Sequence, residues 1–390
     1  MRRTRGLTII GVVFVLMLAT PALAAEVRGV TDTEIRIGQW GPQTGPAAAW
    51  GAVARGTDLY FQYINAAGGV HGRKIKYYLR DDAYNPAKTK AIGKEFVEQL
   101  GVFAVVGGVG TGPGMAVRDY LNENKVVWVS PSTGSNHWTK PLQKNIFAAY
   151  PLYTDEAYLL AKYAYENKGK KIAFFYQNDD YGKEGLEGAE KALKEKGVKL
   201  AAAVSVEVPD TDLSSHALKL KESGADVVIM WLLPKHAAII LAEAAKIGFT
   251  PQWISSSTLS DSVLMFQVTK GLWKGVICAG FGDLPDADTP LMIKYREAHK
   301  IYAPTERWGT FYYAGIIWAE PLVEGLKRAG RDLTPESLIK AMETIKDWRG
   351  IGAPLTFTAD DHQGAKSVQV SQCDDKGNLK ILTDWLKITK

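Results

Sequence analysis

The stretch from residue 103 to residue 136 constrains the fold of this chain more than any other. It reads FAVVGGVGTGPGMAVRDYLNENKVVWVSPSTGSN, with two short apolar runs at 103–106 and 126–129, each followed by a loop of small residues. The apolar runs have the length and composition of buried strands, and the residues from about Gly114 onwards form a segment long enough for a helix. A strand, loop, helix, strand and second loop in this order are typical of a parallel α/β sheet.

The two loops of this stretch are the first candidate ligand site. In a parallel sheet, ligands bind outside the carboxyl ends of the strands, where the loops after neighbouring strands separate. The glycines of the first loop let backbone N–H groups approach a ligand, and the start of the following helix favours an anion. Hydroxyl groups that both donate and accept hydrogen bonds follow at Thr111, Ser132, Thr133 and Ser135. Ordinary turn chemistry explains one such loop, but two loops separated by one helix favour a binding site.

The beginning of the chain predicts an exported protein. Arginines at positions 2, 3 and 5, an apolar segment from Leu7 to Leu18 and a run of small residues around Ala24 are the three parts of a signal peptide, which we assign to residues 1–24. No cysteine lies near this cleavage site to carry a lipid, so we expect an unanchored protein of the periplasm. Without the three signal arginines the formal charge of +5 becomes 5 − 3 = +2, which gives no reason to expect nucleic acid as a partner.

The order of strands and helices predicts two similar halves. Strand and helix alternate three times in the first part of the chain, and the alternation restarts after residue 153 and continues to the hydroxyl loop at 255–258. Because 390 residues are too many for one compact core, we expect an α/β protein of two doubly wound, Rossmann-like lobes with a ligand cleft between them. The last third does not repeat this unit. There we predict a long helix at 308–329 and strands at 350–357 and 368–372 that complete sheets already begun.

Motifs of enzymatic chemistry are missing from the sequence. It has no G-x-G-x-x-G, G-x-x-x-x-G-K-[ST], H-E-x-x-H, C-x-x-C or G-x-S-x-G. The six histidines have no ligand spacing, so we expect neither a metal nor a cofactor. The acid pairs at 81–82 and 179–180 follow predicted strands, where turn and capping roles are commoner than catalysis. The only two cysteines are Cys278 and Cys373, and their spacing leaves open whether they form a disulfide.

Six segments of the chain, in order, resemble a known family: GQWGPQTGPAAAWG, DLYFQYINAAGGVHGRKI, DDAYNPAKT, VVGGVGTGPG, VSPSTGSN and NDDYGKEG. With the signal peptide, they are similar to the leucine/isoleucine/valine-type periplasmic binding proteins of ABC importers over essentially the whole mature chain. The resemblance implies two lobes that close on a ligand like a hinged trap and are joined by three crossings, near residues 150–153, 278–282 and 354–358. The first lobe would comprise 26–150 plus 282–354, and the second 154–278 plus 358–390.

The resemblance also implies which first-lobe residues hold the ligand. In that family the two loops described above hold the carboxylate and ammonium of an amino acid. By position, Thr111 would bind the carboxylate through its hydroxyl and its N–H, with Ser132 and Gly134 at the other loop. Gly134 stands where the family has a threonine, so Thr133 or Ser135 would have to replace the lost side-chain contact.

At the other pocket positions of the family, the sequence matches the pattern in some cases and departs from it in two. Tyr181 matches the tyrosine by which the second lobe closes, and side-chain pocket positions fall on Trp50 and Trp308. The acidic residue that pairs with the ligand ammonium is replaced by Ser257, however, and a pocket tyrosine is replaced by Leu233. Burying an ammonium without its carboxylate partner costs several kcal/mol. A carboxylate or amide without a free ammonium, including an aromatic one, therefore fits better than a plain branched-chain amino acid.

Together these features predict a monomeric solute-binding protein rather than an enzyme. It would capture a small carboxylate-bearing solute, such as an amino acid, an amino-acid-like amide or an aromatic acid, and deliver it to an inner-membrane ABC permease. One alternative is a ligand-sensing domain of the same fold that signals to a receptor or regulator. The other is an exported enzyme that uses one of the acid pairs. Permease-dependent uptake separates transport from sensing, and ligand recovered chemically unchanged argues against an enzyme.

Overall fold

Two separate β-sheets divide the protein into two lobes in the computed structural model, which describes residues 27–387. The predicted signal peptide, residues 1–24, lies outside the described residues. Within 27–387, none of the helices has both the length and the apolar character needed to cross a membrane. The α/β class and the pair of sheet-centred lobes predicted from the sequence are confirmed.

The first lobe is built on a five-stranded sheet whose strands are all parallel. The strands are β1 (Glu34–Trp40), β2 (Lys74–Arg80), β3 (Ala104–Val106), β4 (Val127–Val129) and β5 (Ile146–Phe147). Their spatial order is β2-β1-β3-β4-β5. The helices of this lobe are α1 (Ala52–Ala66), α2 (Pro86–Lys94), α3 (Thr111–Glu123), α9 (Pro290–Tyr302), α10 (Thr310–Ala329) and α11 (Pro335–Met342). Every residue of β3 and β4 is buried, as expected for a sheet covered on both faces.

The second lobe has a larger, mixed sheet. Its strands are β6 (Ile172–Gln177), β7 (Ala202–Val206), β8 (Val227–Trp231), β9 (Gln252–Ser255), β10 (Ile277–Gly280), β11 (Ser367–Cys373), β12 (Leu379–Ile381) and β13 (Leu386–Lys387). Its helices are α4 (Tyr153–Asn167), α5 (Asp180–Glu195), α6 (Ser214–Glu222), α7 (Pro234–Lys246) and α8 (Ser262–Val268). Strands β7, β6, β8, β9 and β10 are parallel, and β11 adds to β10 in the antiparallel sense. The predicted return of the chain end to an existing sheet is therefore confirmed.

Several helices begin where the sequence supplies a capping side chain. The side chain of Asn85 accepts hydrogen bonds from two backbone N–H groups in the first turn of α2, and Pro86 occupies a first-turn position where its missing N–H costs nothing. At the start of α5 the carboxylate of Asp179 accepts a hydrogen bond from the N–H of Gly182. Asp81 likewise accepts hydrogen bonds from the loop after β1. These two acids have the turn and capping roles that the sequence predicts.

Three connections join the lobes. The chain passes from β5 to α4 through residues 148–152 and from β10 to α9 through residues 281–289. The third connection leads back to β11 and lies later than the predicted 354–358. The reason is that the N–H of Ala148 binds the carbonyl of His362 and the N–H of Gly364 binds the carbonyl of Ala148, which holds this part of the chain on the first lobe.

The strand predicted at 350–357 is wrong. This segment makes only isolated bridges, such as that between Gly352 and Gly282. Two glycines and Pro354 interrupt it, and such residues weaken or remove the ladder hydrogen bonds of a strand. The segment instead runs beside the second connection, where the N–H of Ala353 binds the carbonyl of Phe281.

Candidate functional site

A cavity lies between the two lobes, at the carboxyl ends of strands from both sheets. The empty space among its lining residues, including the part that is open to solvent, is about 470 Å³. Half of its sixteen lining residues are aromatic, none of the sixteen carries a formal charge, and each of the aromatic residues is at most 9 % exposed. The lining residues are Trp50, Val53, Tyr84, Val109, Gly110, Thr111, Ser132, Tyr150, Tyr153, Tyr181, Ser257, Thr258, Phe281, Phe311, Ala314 and Trp318.

The glycine loop at 107–110 places the start of α3 against this cavity. Gly108 and Gly110 have φ angles of +84° and +101°, a conformation that side chains other than glycine rarely adopt. A Cβ atom at Gly110 would also lie only 2.6 Å from the ring of Tyr84. The tight loop makes Thr111 the first residue of the helix, three residues earlier than the predicted start, and Thr111 lines the cavity.

Thr111 and Ser132 form a polar edge on the first lobe. The hydroxyl oxygen of Thr111 lies 2.7 Å from that of Thr133, which fixes its side chain. Because Thr111 begins a helix, the helix itself supplies no partner for its N–H. The hydroxyl of Ser132 is buried and has no hydrogen-bond partner among residues 27–387. This edge therefore combines hydroxyl donors with the positive end of a helix, an arrangement suited to a carboxylate.

Thr133 and Gly134 lie behind this edge and do not line the cavity. Thr133 is buried, and it contacts the polar edge through the hydrogen bond between its hydroxyl and that of Thr111. The carbonyl of Gly134 accepts a hydrogen bond of 2.7 Å from the N–H of Tyr153. A Cβ atom at Gly134 would overlap the carbonyl oxygen of Pro151, so glycine allows the loop to pack directly on the first connection.

Tyr181 forms part of the second-lobe wall. Its hydroxyl lies 2.6 Å from the hydroxyl of Thr258 and 3.3 Å from that of Ser256, both in the loop after β9. Its ring packs edge-on against Tyr153, with ring centroids 5.0 Å apart. Burial raises the pKa of Tyr181 well above its ordinary value, so the phenol stays neutral. The ring is thus held by its own lobe and faces the cavity as a preformed wall.

Ser257 links the cavity to a buried acid that the sequence did not suggest. Its hydroxyl lies 2.7 Å from the hydroxyl of Tyr150. The N–H and the hydroxyl of Ser257 also bind the two carboxylate oxygens of Glu156, at 2.7 Å and 2.6 Å. Glu156 has no solvent exposure, and burial raises its pKa to about 7 although both hydrogen bonds from Ser257 oppose the shift. No sequence motif marks Glu156, because its partner is 101 residues away.

Direct hydrogen bonds join the two lobes around the cavity. The indole N–H of Trp50 donates a 3.0 Å hydrogen bond to the carbonyl of Thr258 on the opposite lobe. The hydroxyl of Ser135 and the N–H of Asn136 both donate to one oxygen of Glu184 in α5, at 2.8 Å and 3.0 Å. Burial raises the pKa of Glu184 to about 7. The structure is therefore that of the closed form.

Two of the residues discussed from the sequence lie away from the cavity. Trp308 precedes α10 and lines a separate surface groove with Pro285 and Arg296, where its indole N–H donates to the carbonyl of Pro285 at 2.9 Å. It does not reach the cavity because the face of α10 that does so begins three residues later, at Phe311. Leu233 is buried at the start of α7 and is not part of the cavity wall.

The helix α10 supplies three wall residues that were not predicted. Phe311, Ala314 and Trp318 are spaced by three and four residues and therefore lie on one face of the helix. That spacing was visible in the sequence, but nearly all of α10 is apolar, so its pattern does not single out one face. Tyr150 and Phe281, in the two connections, pack on Trp318 with ring centroids 5.0 Å apart in each case.

No group of three or more His, Cys, Asp or Glu side chains within 27–387 is arranged to hold a metal ion. Cys278 and Cys373 are both buried free thiols. Burial raises the pKa of the Cys278 thiol to about 12, so it stays protonated and behaves as a small apolar side chain. Neither cysteine lines the central cavity.

Two α/β lobes with an uncharged, aromatic cavity between them are the architecture of a two-lobed solute-binding protein. The model of the periplasmic binding protein family matches residues 34–378. The chain therefore belongs to the periplasmic binding protein family, for which a periplasmic or extracellular location is implied.

Known relatives agree with this assignment. The Leu/Ile/Val-binding protein homolog 3 of Brucella melitensis biotype 1 is 33% identical over 366 residues, which cover 92% of this chain and 97% of the relative. A fatty acid ABC transporter substrate-binding protein from Thermomonospora curvata superposes with a TM-score of 0.84 at 25% identity, covering 93% of this chain and 95% of that one. A branched chain amino acid ABC transporter protein from Thermus thermophilus, with bound valine, has a TM-score of 0.83 at 20% identity, with coverages of 92% and 98%. The chain is a binding protein and not an enzyme.

Proposed function

We propose that the protein captures a small solute with a carboxylate at one end and an apolar or aromatic body, and that it presents this solute to an ABC permease from the periplasm. The observation that carries the proposal is the composition of the cavity wall. It has donors of hydrogen bonds at one edge, aromatic rings around the rest and no charged side chain among its lining residues.

The carboxylate end is assigned to the first lobe. There the N–H and hydroxyl of Thr111 lie at a helix start, and the hydroxyl of Ser132 is buried without a partner among the described residues. A buried hydroxyl left unpaired costs about 1–3 kcal/mol. A ligand carboxylate would remove this cost by accepting the hydrogen bond of Ser132 together with those of Thr111.

The body of the ligand is assigned to the aromatic part of the cavity. Burying an aromatic ring removes about 150–250 Å² from water, which at ~25 cal/mol per Å² corresponds to about 4–6 kcal/mol. A branched aliphatic side chain has less apolar surface to bury, so it gains less at the same rate per Å². The eight aromatic lining residues therefore favour a ligand with a large apolar or aromatic body.

A free ammonium would have no carboxylate partner in the wall of the cavity. Its lining residues include no acid, and the family resemblance implies that Ser257 stands where the amino-acid-binding members have one. The relative from Thermomonospora curvata is named for a fatty acid, which also joins a carboxylate to an apolar body. This relative supports a carboxylate without an ammonium as the ligand class.

Mass spectrometry of the small molecules released from the purified protein tests the ligand class. Calorimetric titration should then give a smaller Kd for an apolar or aromatic acid such as 3-phenylpropanoate than for leucine or valine. Tighter binding of leucine than of any ammonium-free acid would contradict the assignment. Loss of permease-dependent uptake of the identified solute when the protein is deleted supports transport, and unchanged uptake would favour the sensing role.

A further inference from the structure

The buried chain of groups from Glu156 through Ser257 to Tyr150 ends in the wall of the cavity. Glu156 is wholly buried, and among the described residues only hydrogen bonds from Ser257, and no cation, stabilise its charge. One carboxylate oxygen accepts the backbone N–H of Ser257, and the other lies 2.6 Å from the hydroxyl of Ser257. The hydroxyl of Ser257 lies in turn 2.7 Å from that of Tyr150. Ser257 and Tyr150 line the cavity, whereas Glu156 lies behind them.

The hydrogen positions along this chain are fixed by counting donors. A carboxylate only accepts hydrogen bonds, and each hydroxyl has a single proton to donate. When Glu156 is ionised, the hydroxyl of Ser257 must donate its hydrogen bond to Glu156. The oxygen of Ser257 then accepts a hydrogen bond from the hydroxyl of Tyr150, so Tyr150 presents only a lone pair to the cavity.

Protonation of Glu156 reverses the direction of the hydrogen bonds that join Glu156, Ser257 and Tyr150. The carboxylic acid then donates to the oxygen of Ser257, and Ser257 donates to Tyr150, because its hydroxyl has no other partner within the described residues. The proton of Tyr150 is thereby released towards the cavity. Tyr150 has become a donor, although no heavy atom has moved.

We propose that Glu156 is a specificity-determining residue that sets, through Ser257, whether Tyr150 accepts a hydrogen bond from the ligand or donates one to it. With Glu156 ionised, the site selects a ligand that has an N–H or other donor beside Tyr150. With Glu156 protonated, it selects a carbonyl or another acceptor at the same place. The inference rests on the proposed function, since it assumes that the solute occupies this cavity.

Both states are reached near neutral pH. Burial raises the pKa of Glu156 to about 7, and the two hydrogen bonds from Ser257 keep it from rising further. The titratable groups that face Glu156 are Tyr150 and Tyr153, whose pKa values are raised by burial, so both stay neutral over this range. Of these three groups, Glu156 is therefore the one whose protonation changes between neutral and mildly acidic pH.

Two pairs of acids test the proposal: phenylalanine with phenylpyruvate, and leucine with 4-methyl-2-oxopentanoate. The members of each pair share the carboxylate and the side chain, but one has an amino group where the other has a carbonyl. The measured quantity is the ratio of the Kd of the oxo acid to that of the amino acid, at about pH 8 and about pH 5.5. In the wild type this ratio should fall about tenfold at the lower pH, the usual effect of one hydrogen bond to a charged or buried group.

Two variants separate the hydrogen-bond chain from a simple effect of charge. In Glu156→Gln the amide donates permanently to Ser257, so the ratio should keep its low value at both pH values. Tyr150→Phe keeps the ring stacked on Trp318 but removes the hydroxyl, so the ratio should no longer depend on pH. Circular dichroism and Tm verify that each variant is folded, and Tyr150→Phe remains informative if Glu156→Gln does not fold.

Three results would overturn the inference. A wild-type ratio that does not change with pH, or a pH dependence that persists in Tyr150→Phe, refutes the role of Glu156 and leaves the proposed function intact. If the wild type binds none of the four acids, both the role of Glu156 and the proposed function are overturned.

Discussion

The hydrogen bond from Trp50 to Thr258 makes a direct test of lobe closure possible. Replacing Trp50 by phenylalanine keeps an aromatic ring in the cavity wall but removes the indole N–H that reaches the other lobe. In the open form both the indole and the carbonyl of Thr258 would be free to bind water. The substitution should therefore destabilise the closed form specifically.

The magnitude follows from the burial of this contact. Trp50 is 7 % exposed and Thr258 is 9 % exposed, so the carbonyl of Thr258 would lose its partner away from water. Leaving a buried polar group unpaired costs about 1–3 kcal/mol. At about 1.4 kcal/mol per factor of ten, Kd should rise by about fivefold to a hundredfold. Because the contact is made only after closure, most of the change should be in the dissociation rate.

Trp308→Phe is the matched control. It removes the same kind of indole-to-carbonyl hydrogen bond, at 2.9 Å, from a tryptophan that lies outside the cavity. Calorimetry and stopped-flow fluorescence with the co-purified ligand should show weaker binding in Trp50→Phe and wild-type binding in Trp308→Phe. Unchanged affinity in Trp50→Phe, or equal losses in both variants, would refute the closure argument and the exclusion of Trp308 from the site.

Three further predictions concern the first-lobe loops and the buried acids. Thr111→Val keeps the shape of the side chain but loses the hydroxyl, so Kd should rise about tenfold or more, since a hydrogen bond to a charged group contributes ~1.5–3 kcal/mol; calorimetry showing no change would remove Thr111 from the site. Gly134→Ala should lower Tm as well as affinity, because the added methyl would overlap the first connection; a wild-type Tm would contradict this packing. Burial raises the pKa of Glu320 from 4.5 to about 7. Between these two pH values the folded state holds a proton that the unfolded state has released. The contribution of Glu320 to the free energy of unfolding therefore falls as the pH rises through this window. From the acidic to the neutral end of that window, the free energy of unfolding measured with urea should fall by on the order of 3 kcal/mol more in the wild type than in Glu320→Gln. If the free energies of unfolding of the two proteins change in parallel with pH, the prediction is wrong.

The alternation of elements was predictable because buried parallel strands leave a strong apolar signal. The runs at 103–106 and 126–129 differ from β3 and β4 by one residue each. The start of α3 was harder to locate, because Gly112 and Pro113 look like helix breakers. They are tolerated in the first turn, where backbone N–H groups have no partner within the helix, so the helix begins at Thr111.

The candidate site was only partly visible in the sequence. Thr111 and Ser132 were found because they follow strands of a parallel sheet, and Tyr181 and Trp50 because of the family resemblance. Glu156 was missed, since its contact with Ser257 depends on how α4 packs against the loop after β9, which no local pattern encodes.

The central claim is that the first lobe holds the carboxylate of a ligand enclosed between the two lobes. A crystal structure of the protein with its mass-spectrometrically identified ligand tests this claim most directly. The carboxylate should lie within hydrogen-bonding distance of the hydroxyls of Thr111 and Ser132, with the rest of the ligand among the aromatic rings. A carboxylate bound beside Ser257 on the second lobe, or a ligand outside the cavity, would contradict the account.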